Sequence, residues 1–501
     1  MGIDLLIKGG KVINPANGYN GVAKDILVRG GRIYSIADRI DPIEGVEVLT
    51  LQGEYVAPGF IDIHAHVYTG VSLGVPADRI GIETGVTTVV DAGSAGPENF
   101  KDFLERDIRT SRTRVFSAMH YARTGLLNPP EADSEEKFDL DLAAEVCQKY
   151  KDYIVAIKAR ASNSCTGKLG IRSIQAGKSL GQRLGIPMMV HIGNMPPLVE
   201  EVLDLMEPGD IITHAFHGKT NNLFQDGQPK EATVAARTRG VLFDVGHGKE
   251  SFSFETARQA RDAGFDPDIV SSDLHVKNVD GPVYSLAVTL DKMMALGYSL
   301  GWCVDAVTER PSRYLQLKGL GRIACGNIAD FTIFKLDSGV YEFEDSLGNQ
   351  LTGSTQINVR YAVIGGQIRM DRTQQEKAAL RQRILDRVKA EMDVDEAEFE
   401  RHTVMIADVF NRLDHHGIEF PEDNLLAFVN HTVTLLHRLT TGEKVPEMGP
   451  EVLDQLSPKA VEVTRELVTR IEAQYGCVDV AEMILAAIHI HTAMEIMAES
   501  K

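Results

Sequence analysis

The chain has 501 residues, 43% hydrophobic and 25% charged, which fits an ordinary soluble globular protein of two or three domains. Its formal net charge of −19 offers no basic face to nucleic acid or to an anionic membrane surface. The five cysteines (Cys147, Cys165, Cys303, Cys325, Cys477) are odd in number and lack Cys-x-x-Cys spacing, which suits reduced thiols in a cytoplasm. The start, Met1-Gly2-Ile3-Asp4, has no basic n-region before an apolar core, and Leu6 stands where a myristoylation motif needs Ser or Thr. No run reads as apolar and long enough to span a bilayer.

Residues 1–57 alternate short apolar runs with turns. Asp4–Ile13 and Ile26–Ile33 read as strands joined at Gly-Gly hairpins, Gly9-Gly10 and Gly30-Gly31. Residues 58–317 alternate strand-like pieces (Thr87–Val90, Val115–Ser117, Val155–Ile157, Met188–Val190, Ile211–Thr213, Val241–Phe243, Ile269–Ser271) with helical runs such as Ser173–Leu184. That alternation predicts an α/β domain on a parallel sheet, a (β/α)8 barrel, with a doubly wound open sheet as the alternative. No Gly-x-Gly-x-x-Gly follows a first strand, which weakens a dinucleotide-binding reading. The strand pattern of the N-terminal flank returns at Asp330–Phe334 and Tyr361–Ile368, so 1–57 and 318–370 are expected to build one composite β-sandwich domain around the inserted barrel. From 371 the chain turns charged and helix-prone: Gln374–Met392, Glu396–Leu413, Asp423–Leu439, Pro458–Gln474 and Val480–Met497. Residues 371–399 read as a helical connector and 400–501 as an all-α domain. Residues 371–501 carry 14 Lys+Arg against 25 Asp+Glu, eleven of the nineteen net negative charges.

The most informative run is Ala57-Pro58-Gly59-Phe60-Ile61-Asp62-Ile63-His64-Ala65-His66. Residues i and i+2 of a strand face the same side, so both imidazoles project together at its carboxyl end. Such a pair can start a divalent-metal site or can be two polar residues at a strand end. Further ligand-type residues each follow an apolar strand in order: Lys158, His191, His214 and Asp273. The carboxyl ends of barrel strands are where catalytic groups collect. Arg123, Arg160, Ser164, Asn194, His217, His247 and His275 lie near strand ends and are candidates for substrate contacts, each equally readable as a solvated loop residue.

These six residues, with the runs Gly85-Val86-Thr87-Thr88-Val89-Val90-Asp91 and Gly321–Asp330, resemble the amidohydrolase superfamily over residues 1–370, and locally its dihydroorotase-like deacetylases. The resemblance implies two divalent ions, zinc first among them, bridged by a carboxylated Lys158 and a hydroxide, with a spacing of about 3.5–4 Å. His64 and His66 would hold one ion, and His191 and His214 the other. Asp273 would bind the first and act as catalytic base. A plain Lys158 ammonium with a single-metal site is the other reading of that residue. The function expected is hydrolysis of an amide or ester bond of a small polar acyl compound, with a cyclic amidase or a deaminase as alternatives. From a different class, the barrel could be a retired scaffold serving a regulatory tail. Residues 400–501 resemble a regulation domain of the sugar phosphotransferase system, which implies His431 and His489 as phosphoacceptors, Arg438 beside them, and a phosphocarrier as partner; Asn430 stands where Asp is common. A homo-oligomer is compatible with this reading.

Overall fold

The computed structural model describes residues 4–392 and 395–499. The chain divides into two compact units, Met1–Arg372 and Thr373–Lys501.

The first unit opens with β1 (Leu5–Asn14), β2 (Tyr19–Arg29), β3 (Arg32–Ala37), β4 (Glu47–Thr50) and β5 (Tyr55–Pro58). It continues with β6 (Phe60–Ala65), β7 (Val86–Ala92), β8 (Arg114–His120), β9 (Ile154–Ala161), β10 (Met188–Ile192) and β11 (Ile211–Thr213). A short hairpin, β12 (Phe224–Gln225) and β13 (Gln228–Pro229), precedes β14 (Leu242–Phe243), and β15 (Phe331–Glu344), β16 (Gln350–Ile364) and β17 (Gln367–Asp371) close the unit.

β6 to β11 and β14 form a seven-stranded parallel sheet in unbroken sequence order, β14-β11-β10-β9-β8-β7-β6. A doubly wound sheet reverses its order part-way, and this one does not. Helices such as Leu140–Lys149, Ile171–Leu184 and Phe254–Asp262 alternate with the strands. β6 and β7 are buried at every position, as strands of a parallel sheet covered on both faces should be. The segment 269–274 reaches both edges: Asp244 bridges Ile269 and Ala65 bridges Leu274, each in parallel sense. The strand expected at Ile269–Ser271 is thus present only as isolated bridges. Asp273 just beyond it has a left-handed backbone (φ 51°), which breaks the extended run. The result is a curled parallel sheet whose strands end on one rim.

The two flanks join in one mixed eight-stranded sheet, ordered β17-β16-β15-β5-β1-β2-β3 with β4 also beside β1. One hydrogen-bonded sheet thus spans both flanks, whereas the hairpin expected at Gly9-Gly10 is a correction. β1 runs straight through that pair with a register shift between Ile7 and Gly10. Its first half pairs in parallel with β4 and its second half with β5, so hydrogen bonding stays continuous. A Cβ on Gly10 would lie 2.4 Å from Val56 Cγ2, which explains the glycine. Gly30-Gly31 does form the expected turn between β2 and β3.

The second unit is helical: Arg372–Glu391, Glu396–His415, Glu422–Thr441, Pro458–Tyr475 and Val480–Glu499. The first of these helices falls in the stretch read as a connector. Ile384, Leu385 and Val388 on it join the core of the unit, with Val409, Val429 and Leu467. Their spacing of one, three and four residues is a helical apolar face, so the helix packs rather than bridges. The last helix also departs from expectation, because Val480–Ala498 is long and apolar enough by composition to cross a membrane. Here it turns Ile484, Ala487 and Ile490 inward within the bundle, and it carries a buried Glu482 that is ion-paired to Arg438.

Candidate metal centre

One rim of the parallel sheet collects the six proposed ligands. His64 lies on β6 and His66 one residue beyond it, Lys158 on β9, His191 on β10, and His214 directly after β11, while Asp273 lies in the bridging segment. Cross-strand register sets Lys158 beside Met189 and His120, and His191 beside Arg160 and Thr213. Backbone bonds tie the Asp273 segment to β6: Asp273 N–H donates to His64 O at 2.6 Å and His66 N–H to Leu274 O at 2.8 Å. His214 (φ 63°) and Asp273 are both left-handed without being glycine, a strain of order 1–3 kcal/mol each that the fold holds in place.

The polar atoms converge tightly. Asp273 Oδ1 lies 3.3 Å from His64 Nε2 and 3.1 Å from His66 Nε2, and Asp273 Oδ2 lies 3.9 Å from His214 Nε2. Lys158 Nζ sits 3.0 Å from His64 Nε2. Ligand atoms of His64, His214 and Asp273 all fall within 4.8 Å of one another. The far nitrogens are anchored. His64 Nδ1 meets Thr213 Oγ1 at 2.8 Å, and that hydroxyl donates to Asp244 Oδ2 at 2.7 Å. His66 Nδ1 meets Ser94 Oγ at 2.9 Å, and His214 Nδ1 donates to Gly246 O at 2.6 Å. Fixing one ring nitrogen this way presents the lone pair of the other to the centre. His191 stands 4.4 Å from His214, ring to ring, with its Nε2 3.2 Å from Ser162 Oγ.

Burial sets the charges. It lowers Lys158 to about 7, which makes a neutral amine accessible near neutral pH. It also holds the His64 and His191 imidazoles well below the ordinary histidine value, and brings His214 and His275 to about 4. Burial alone would raise the Asp273 carboxyl, but the imidazoles of His64 and His66 outweigh it and hold the acid well below the usual carboxylate range. Behind this layer burial raises Asp62 to about 7 and Asp244 to about 6.

A cavity of about 330 Å³ opens above the centre, the size of a small-molecule site. Its wall includes Arg160, Ser164, Asn194 and His275, four of the seven residues expected to meet substrate. The other three are not among the lining residues. Arg123 is engaged by Glu98 at 2.9 Å and Asp139 at 3.1 Å, carboxylates that its strand-end position did not reveal. His217 is buried with its Nδ1 accepting from Lys219 N–H, and His247 is buried between Lys292 Nζ at 2.8 Å and Phe252. Several contributors went unread in the sequence: Ser162, Ser94, the Thr213–Asp244 pair, and Lys219, Lys249 and Lys277 on the cavity wall. Asp244 did carry a signal, because it directly follows the apolar Val241–Phe243 run.

In the helical unit His431 and His489 face each other with ring centroids 5.4 Å apart. His431 Nε2 is 2.8 Å from Glu482, the carboxylate that also receives Arg438 at 2.6 Å.

The profile of the Amidohydrolase family matches residues 55–369, and the chain belongs to that family. A protein named Deacetylase from Enterococcus faecalis (strain ATCC 700802 / V583) is 35% identical over 373 residues, covering 74% of this chain and 99% of its own. A crystal structure described as an adenine deaminase shares 34% identity at a TM-score of 0.70, over 74% of this chain and 100% of that one. One described as a dihydroorotase shares 33% at 0.68, over 73% and 98%. The chain is thus a metal-dependent amidohydrolase, a hydrolase acting on carbon–nitrogen bonds.

Proposed function

We propose that this chain is a deacetylase-type hydrolase that cleaves an amide or ester bond of a small polar acyl compound, at a two-ion centre on the rim of a (β/α)8 barrel closed by the 269–274 segment. The observation that carries this reading is the buried convergence of Asp273 on His64, His66 and His214, with Lys158 Nζ 3.0 Å from His64. The donor set fits divalent cations: the His64 and His214 imidazoles, kept neutral by burial, and that of His66, each anchored through its far nitrogen, surround one ionised carboxylate. His64, His66, Lys158, His191, His214 and Asp273 would hold two ions, zinc first among the candidates, which when bound polarise a carbonyl and acidify a water molecule.

The remaining chemistry belongs to the chain. A neutral Lys158 amine can add carbon dioxide, its lone pair forming an N–C bond as one C=O π bond opens and a proton leaves, which turns an uncharged group into a two-oxygen anion. Asp273, ionised and between two imidazoles, accepts the proton of the attacking water and returns it to the leaving nitrogen or oxygen. His191 can offer Nε2 only by giving up its contact with Ser162. The deacetylase reading is preferred to the cyclic amidase and deaminase readings because the protein named Deacetylase is matched over 99% of its length, whereas the curated proteins named Dihydroorotase are matched over 14% of theirs and those named Adenine deaminase over 19% and 56%. The helical unit is read as a phosphotransferase-type regulatory domain with His431 and His489 as acceptors. The support is their facing rings, with Arg438 held at the same Glu482 that a phosphate on His431 would displace. The direct test is a screen of N-acetyl and O-acetyl compounds with the metal-loaded full chain. Acetate release is expected, and turnover confined to cyclic amides or to purine bases would overturn the assignment.

A further inference from the structure

Three successive loops at the catalytic rim carry the same short pattern: His217-Gly218-Lys219, His247-Gly248-Lys249 and His275-Val276-Lys277. They follow β11, β14 and the 269–274 segment in turn. In the first and third, the lysine backbone N–H donates to the imidazole Nδ1 of the histidine two residues before it, at 3.1 Å in both. In the second, His247 Nδ1 lies 2.9 Å from Gly248 O. All three histidines are buried, so each anchors its turn while the following lysine stands on the cavity wall.

The charges there are unusual for a chain at −19. Among the described residues none of the three lysines has a carboxylate within ion-pair distance, whereas Arg160 on the same wall is held by the buried Glu131 at 3.3 Å. Asp273 and Glu250 are the acids that line the cavity with them. Asp273 is committed to the histidines below, so three ammonium groups face one exposed carboxylate. Gathering unpaired like charges at a concave mouth raises the local potential for anions. It also costs repulsion that an anion at that place would relieve.

We infer that the His-x-Lys turns form a cationic collar that selects acyl compounds bearing at least two negative charges away from the scissile bond, as a phosphate monoester or a second carboxylate supplies. This rests on the proposed acyl-hydrolase reading of the same site. A single carboxylate needs no more than Arg160, whereas a collar of three further cations matches a group that spreads two charges over several oxygens.

The test is binding of small, unhydrolysable probes to the metal-loaded full chain: phosphoglycolate, malonate and glycolate, at low and at high salt. Phosphoglycolate or malonate should bind at least tenfold more tightly than glycolate at low salt, and the gap should narrow at high salt. Whichever dianion leads identifies phosphate or carboxylate as the recognised group. In the triple variant Lys219→Met/Lys249→Met/Lys277→Met the preference should disappear while metal content stays unchanged. Should that variant fail to fold, Lys249→Met and Lys277→Met singly should each cut the preference at least threefold. Equal affinity for the three probes, or a preference that survives these substitutions, overturns the inference. A dianion preference in a protein that releases no acetate would keep the collar and sink the deacetylase reading. Acetate release indifferent to charge would do the reverse.

Discussion

Lys158 is the residue on which the two-ion reading turns. It is 1% exposed, faces His64 and Met189, and burial, against the opposing pull of Asp273 and Asp244, brings its amine to about 7. A permanent ammonium there would repel any cation held by His64, so a neutral or carboxylated amine is the form consistent with metal binding. Lys158→Ala should lose most turnover, and short carboxylic acids should restore part of it by occupying the vacated space; full activity without rescue would make Lys158 structural. Asp273→Asn should keep its metal largely and lose turnover by roughly 10²–10⁴-fold, because an amide accepts no proton. Each tenfold loss corresponds to about 1.4 kcal/mol of transition-state stabilisation. An unchanged rate would move the base elsewhere, with His275 next to be tested. The placing of all six candidates on one rim was legible in the sequence because each sits at or just after an apolar run, with His64 and His66 sharing one, a local pattern. Ser162 at His191 and Thr213–Asp244 behind His64 were not, because those contacts join different strands.

At the scale of elements, period and composition located nearly every strand of the parallel sheet and all five tail helices. The failures have physical causes. Gly9-Gly10 has the composition of a hairpin but makes a bulge, because the partners that decide it, β4 and β5, lie some forty residues on. The Arg372–Glu391 helix looks polar enough for a connector, yet three apolar residues suffice to dock it. One inter-element contact gives a pH test. Asp291, on the helix Leu286–Ala295, accepts the Ile357 N–H of β16 at 2.8 Å through Oδ1, while its buried Oδ2 has no partner. Burial raises this acid to about 7. The folded state therefore keeps a proton that the unfolded chain has released above about pH 4, and stability falls as pH rises from there to about 7. Asp291→Asn keeps the acceptor and removes the titration. Its stability relative to the parent should be nearly level at pH 4 and below and higher by pH 8, with roughly 2–4 °C in Tm for each kcal/mol gained. Melting curves showing the same offset at both pH values would contradict this.

For the whole molecule, the division at Arg372/Thr373 leaves every proposed ligand and both flanks of the mixed sheet in one unit, and the helices in another with a separate core. The family match ends at residue 369, consistent with hydrolase chemistry that is complete before the helices begin. The helical unit holds a second ligand-like group, Glu398, His402 and His437, with ligand atoms within 4.8 Å of one another, so an ion count on the full chain must be paired with a count that excludes it. The most direct measurement is therefore elemental analysis of chelator-free protein, made on the full chain, on the chain ending at Arg372 and on the Lys158→Ala variant. The account predicts two divalent ions per chain in the first two, with the shortened chain soluble and active, and a loss of bound metal in the third. A full chain with no bound ion, or ions that depart with residues 373–501 and ignore Lys158→Ala, would contradict it.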